Sequence, residues 1–236
     1  MKMNLRLPVL VCAVALLLAG TAVAGITTYS GFDDGAGARP LPNSDAAALA
    51  FDTATGHLPI ITFESAPLGP FSSLLAAPGV TVTGTDYYGN SQSIINSPLC
   101  APALCGFNTT IGGSQWLNVY GGFATFTFNH PISAFGAYIT GNQVAGINLS
   151  FNDGSQQSIP IPVDYSNGGA SFVGFTDSLA NITSVSVLAI APYGDFIGVD
   201  DVRYSGASTT PEPGSILLLG SGLLGAASLL RRKLLL

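Results

Sequence analysis

The 236-residue chain is 47% hydrophobic and only 8% charged, with a formal net charge of −6. Five of its seven cations lie in the first six or last six residues, so residues 25–210 hold two cations against twelve carboxylates, a net charge of −10. That sign repels phosphate backbones and excludes nucleic acid as a partner.

The chain opens MKMNLRLPVLVCAVALLLAGTAVAG. Lys2 and Arg6 precede an apolar run from Leu7 to Leu18, and Ala22-Val23-Ala24 supplies a small-x-small cleavage site. Residues 1–24 therefore read as a signal peptide cut by signal peptidase after Ala24. Residues 25–58 read as a Gly/Pro loop followed by one short helix over PNSDAAALAFDTATG. Asn43 or Ser44 is the expected N-cap, Gly56 the terminator, and Leu49 and Phe51 the packing residues. Asp33 and Asp34, in the loop ahead of it, read as a solvated turn.

Residues 59–205 are short runs rich in Val, Ile, Thr, Phe and Tyr, separated by Gly, Pro, Asn and Asp. PIITFE, GVTVTG, FATFTF, INLSFN and ITSVSVLAI are typical, and many alternate apolar with polar, the period of a half-buried strand. Asn152-Asp153-Gly154 signals a hairpin. The fold class this predicts is mainly β, an antiparallel jelly-roll-like β-sandwich carrying one short N-terminal helix.

Candidate site residues fall along these strands. Glu64 closes the first of them, and Asp200 and Asp201 lie in the last, FIGVDDVRY. In a jelly roll the first and last strands come together, so these acids are expected to approach one another. Strict alternation puts one aspartate on each face. A body so short of cations is compatible with a structural Ca²⁺ held by Glu64 and Asp200 or Asp201, while an Asp201–Arg203 surface pair is the simpler alternative. Tyr87, Tyr88 and Tyr193 lie in predicted loops beside amides and carboxylates, as sugar platforms do. Cys100 and Cys105, in SPLCAPALCG, are expected to form a local disulfide in an exported compartment. Trp116 is read as core.

No HExxH, GxSxG, Walker or dinucleotide signature is present, and His57 and His130 read as loop residues. No catalytic residue is assigned, and the chain is expected not to be an enzyme.

Residues 206–210 form a polar linker. Pro211-Glu212-Pro213 is then followed by an uncharged run from Gly214 to Leu230, roughly 25 Å long as a helix and close to a membrane span. Arg231, Arg232 and Lys233 follow and would stay cytoplasmic, which agrees with export of the body. The order Pro-Glu-Pro, transmembrane helix 214–230, cationic tail over residues 211–236 resembles the PEP-CTERM sorting signal of Gram-negative bacteria. That resemblance implies an exosortase as processing partner, an inner-membrane-anchored precursor, and delivery to the surface of a polysaccharide-producing cell. More loosely, residues 59–205 resemble galactose-binding-like and carbohydrate-binding jelly rolls, in which comparable acids hold a structural Ca²⁺. The function these readings point to is a non-enzymatic surface or matrix protein with a structural or exopolysaccharide- and biofilm-associated role. The alternatives are a lectin-like carbohydrate-binding module or an extracellular glycan hydrolase.

Overall fold

The computed structural model describes residues 25–189 and 195–206. The signal peptide, Tyr193, Pro211-Glu212-Pro213, the helix over 214–230 and Arg231, Arg232 and Lys233 lie outside the described residues. In chain order the elements are β1 (Ile26–Asp34), α1 (Pro42–Thr55), β2 (Ile60–Ile61), β3 (Gly69–Pro70), β4 (Leu74–Ala77), β5 (Val80–Thr85) and β6 (Ser93–Ile95). There follow α2 (Pro102–Cys105), β7 (Trp116–Tyr120), β8 (Gly122–Ile132), β9 (Ala134–Thr140), β10 (Ala145–Phe151), β11 (Gln156–Pro160), β12 (Gly169–Asp177), β13 (Ile182–Ala189) and β14 (Phe196–Tyr204).

Two antiparallel sheets pack face to face. One has the order β1-β12-β9-β14-β7-β6-β3, with β2 also paired to β14; the other runs β11-β10-β13-β8-β5-β4. Alternation along VTVTGT and FATFTF sends Val80, Val82, Phe126 and Phe128 inward. There they meet Phe135, Ile139, Val173 and Val199 of the first sheet, all but fully buried. Removing that apolar surface from water is the main driving force for closing the two sheets on each other.

The chain enters the sandwich earlier than its composition predicts. Residues 26–34, read as loop, form a nine-residue strand in register with β12, from Ile26↔Asp177 to Asp34↔Gly169. With its Gly and two Asp this segment has a weak strand signature, and a partner remote in sequence, β12, supplies the order.

The predicted helix is present, ending at Gly56 with φ 74°. Two details differ from its reading. Neither Asn43 nor Ser44 caps it. Instead Asp33 reaches across from β1, and its carboxylate accepts the Asn43 N–H at 3.0 Å and the Ser44 N–H at 2.9 Å. Asp33 is thus a buried cap rather than part of a solvated turn. Leu49 is 68% exposed, while Phe51 is fully buried against Phe172 and Tyr29. The helix lies on the outer face of the eight-stranded sheet, where Gly136 and Gly174 leave bare backbone beneath the Phe51 and Phe172 rings.

Candidate functional site

The molecule has two poles. Gly25 and Ser205, at the two ends of the described body, line one cavity of about 320 Å³ together with Ser133, Ala134 and Thr176. From there β8 runs back to Phe123, which pairs with Thr85 of β5. At about 3.4 Å per residue this is a separation of roughly 30 Å. The turn beyond Thr85 therefore sits at the pole away from both ends.

That turn is a built feature. The Asp86 carboxylate accepts the Tyr88 and Asn90 backbone N–H groups at 2.8 and 2.7 Å and the Asn90 side-chain amide at 2.9 Å. The Asn90 amide, helped by the backbone donors, holds the Asp86 carboxyl below the ordinary range. Gln92, buried, anchors the base: its amide donates to the Gly121 and Phe123 carbonyls and accepts the Tyr120 N–H. On this frame Tyr87 and Tyr88 stand 73% and 74% exposed, their rings 5.5 Å apart and perpendicular. Tyr165, also 74% exposed, lies at the same pole in the connection from β11 to β12, held by Gln143 through its carbonyl. Nothing in the local sequence marks Gln92 or Tyr165, since only the topology brings their segments to this end.

The acids expected to meet do come together. β2 pairs with β14 through Ile61↔Val202, which carries Glu64 to the side of the last strand. Asn108 bridges them: its amide nitrogen lies 2.8 Å from Glu64 Oε1 and 3.2 Å from Asp200 Oδ2. The expected alternation fails at Asp201. A one-residue bulge between Asp200 and Arg203, with Asp201 at φ 46°, turns both aspartates toward the same two threonines. Thr109 and Thr110 place their hydroxyls between the two carboxylates, and their backbone N–H groups donate to Asp200 at 2.7 and 3.1 Å. Asp200 is fully buried. Burial, reinforced by the adjacent Asp201, pushes its carboxyl up to about 7. Burial likewise raises Asp195, at the start of β14, to about 6.

This donor set does not fit calcium. Ca²⁺ takes six to eight oxygen ligands. Here the lone pairs of Glu64 receive N–H groups from Ser114, Gln115 and Asn108, and those of Asp200 receive N–H groups from Thr109, Thr110 and Asn108. Among the described residues there is no group of three or more His, Cys, Asp or Glu able to hold a metal.

Both cations of the body are used on α1. Arg39 pairs with Asp45 at 2.8 Å and donates to the Thr109 carbonyl, and Arg203 lies 3.0 Å from Asp52. Their guanidinium groups flank the Tyr138 ring at 5.3 and 5.6 Å. Arg203 bonds the backbone oxygen of Asp201, so the expected Asp201–Arg203 side-chain pair is not formed. Cys100 and Cys105 are joined as a disulfide. Trp116 is buried, though on the outer face of its sheet, over Gly198. His57 and His130 are both exposed.

Residues 209–233 match the PEP-CTERM protein-sorting motif. The chain thus carries the sorting signal of an exported, exosortase-processed protein. No curated protein matches it in sequence. Among solved structures it is similar to the K2 cleaved adhesin domain of Lys-gingipain, at 14% identity and a TM-score of 0.42 over 63% of this chain and 99% of that one. TmCBM61, solved with β-1,4-galactotriose, is 15% identical with a TM-score of 0.31 over 62% and 94%. A family 11 carbohydrate-binding module from Clostridium thermocellum, solved with a mixed-linked tetrasaccharide, is 10% identical with a TM-score of 0.29 over 59% and 94%.

Proposed function

We propose that this exported protein is a non-enzymatic surface component that associates with extracellular polysaccharide through the loop pole remote from its sorting tail. The observation that carries this reading is the Tyr87–Tyr88 turn. Two largely exposed rings stand on a turn whose backbone is fixed by Asp86 and anchored by Gln92, at the end of the body opposite Ser205, from which the chain continues toward the sorting motif. A tether leaving by one pole would point the tyrosines away from the membrane. Rigid aromatic faces beside amides suit sugar rings, which offer C–H groups on their faces and hydroxyls at their edges. Against hydrolysis stands the enclosure of the paired acids: Asp200 is fully buried and offers no open face to a glycosidic bond.

Co-sedimentation of the full chain, purified in detergent, with the polysaccharide of its own host tests this. Each aromatic contact is worth about 0.5–1.5 kcal/mol, so a Tyr87→Ala/Tyr88→Ala variant should bind roughly tenfold more weakly or worse. Unchanged binding would remove the loop pole from the proposal.

A further inference from the structure

Among the described residues, no helix packs on the outer face of the six-stranded sheet. Helix α1 packs on β1, β12 and β9 of the other sheet. Register aligns the outward residues of the bare face in rows across the strands. One row runs Thr83–Thr125–Ser186–Asn148–Ser158. The row beside it runs Thr81–Thr127–Ser184–Ser150–Gln156. A third, toward the tyrosine pole, places Phe123, 41% exposed, next to Leu188 and Gly146. Neighbouring groups are roughly 4.8 Å apart across strands and roughly 6.8 Å apart along them.

Two features of this face identify what it suits. None of the twelve carboxylates or two cations of the body stands in these rows, although the body is strongly acidic. The face can therefore be dried against a partner without stranding a charge. In the first row Thr125 bonds Ser186 and Ser158 bonds Asn148, each at 2.7 Å, whereas among the described residues the hydroxyls of Thr83, Thr81, Thr127, Ser184 and Ser150 are unspent. Groups that both donate and accept, in a repeat close to the length of one pyranose unit, match a polyol. An acidic polymer would meet net charge −10 with both arginines already paired.

We infer that this face is a second glycan-binding surface, specific for a neutral polysaccharide lying along the hydroxyl rows with its apolar edge on Phe123 and Leu188. The inference rests on the polysaccharide reading above and adds the ligand class and a separate site. The test uses the full chain in detergent with insoluble cellulose, curdlan and β-1,4-galactan, and with polygalacturonate as the acidic counterpart. Thr83→Val/Thr125→Val removes two hydroxyls while keeping β-branched residues, and near-UV circular dichroism verifies that the variant is folded. Capture by at least one neutral polymer, weakened tenfold or more in this variant and retained in part by Tyr87→Ala/Tyr88→Ala, supports the inference. Binding lost only in the tyrosine variant overturns the sheet face and leaves the loop pole standing. Preference for polygalacturonate overturns the ligand class, and binding to none of the four overturns the inference, while co-sedimentation with the host polysaccharide decides the loop-pole reading separately. Light scattering adds a last arm: self-association abolished by Thr83→Val/Thr125→Val, without glycan capture, would make the face a contact between copies and overturn the inference.

Discussion

Asp200 concentrates the chemistry of the molecule in one side chain. It is fully buried, adjoins a second carboxylate, and shares two threonine hydroxyls with it. Its carboxyl titrates near 7 in the folded protein, against an ordinary value of 3.8. The folded state therefore holds a proton that the unfolded chain has released, and the associated stability is complete below about pH 4 and lost as pH rises through 7. Asp195 acts in the same direction, its share being lost as pH passes about 6. The melting temperature should accordingly fall between about pH 4 and pH 7. Asp200→Asn, neutral throughout, should make this fall shallower across the whole window and abolish it between pH 6 and 7, where Asp195 no longer contributes. Parallel curves for the variant and the parent would show that Asp200 is ionised across this range.

At the scale of elements, α1 shows how a weakly amphipathic helix is fixed by its surroundings. Its alanine-rich middle offers little area, so a few contacts dominate. Phe51 fills the space over Gly136 and Gly174, Asp33 of β1 caps the first turn, and Arg39 and Arg203, both within 5.6 Å of the Tyr138 ring centre, pair with Asp45 and Asp52. Phe51→Ala should destabilise by about 3–5 kcal/mol, as full loss of a buried aromatic does. Leu49→Ala, at a site 68% exposed, should stay within about 0.5 kcal/mol. Urea unfolding of the two variants measures both, and comparable losses would mean that the helix docks by its other face.

At the scale of the whole molecule, charge is the governing quantity. With both cations committed to α1, the body stays acidic, and it closes its buried acids with its own N–H and O–H groups. Thermal stability should therefore be indifferent to added calcium and to chelator at constant ionic strength. A rise in melting temperature with calcium, abolished by Glu64→Gln, would show that Asn108 gives way to an ion. Ser205 and the tyrosine turn lie at opposite ends of the described body.

The sequence by itself determined the class of fold, because a period of two along FATFTF or ITSVSVLAI leaves a strand only one way to bury its apolar side. It also determined the sorting signal, which is linear and needs no partner. The meeting of Glu64 with Asp200 is expected from a pairing of first and last strands, but the first strand, β1, pairs with β12, and it is the two-residue β2 that β14 joins. Only the tertiary structure decided the rest. The bulge at Asp201 depends on what β14 faces on β9, and it brings to one pair of threonines two aspartates that alternation would separate. The strand at residues 26–34 and the cap from Asp33 depend on β12 and α1, which no local pattern encodes. Asn108 replaces the expected cation because a loop remote in sequence delivers its amide there. Short-range periodicity is written into the chain residue by residue, whereas the partner of a buried polar group is chosen by contacts that exist only once the sheets have closed.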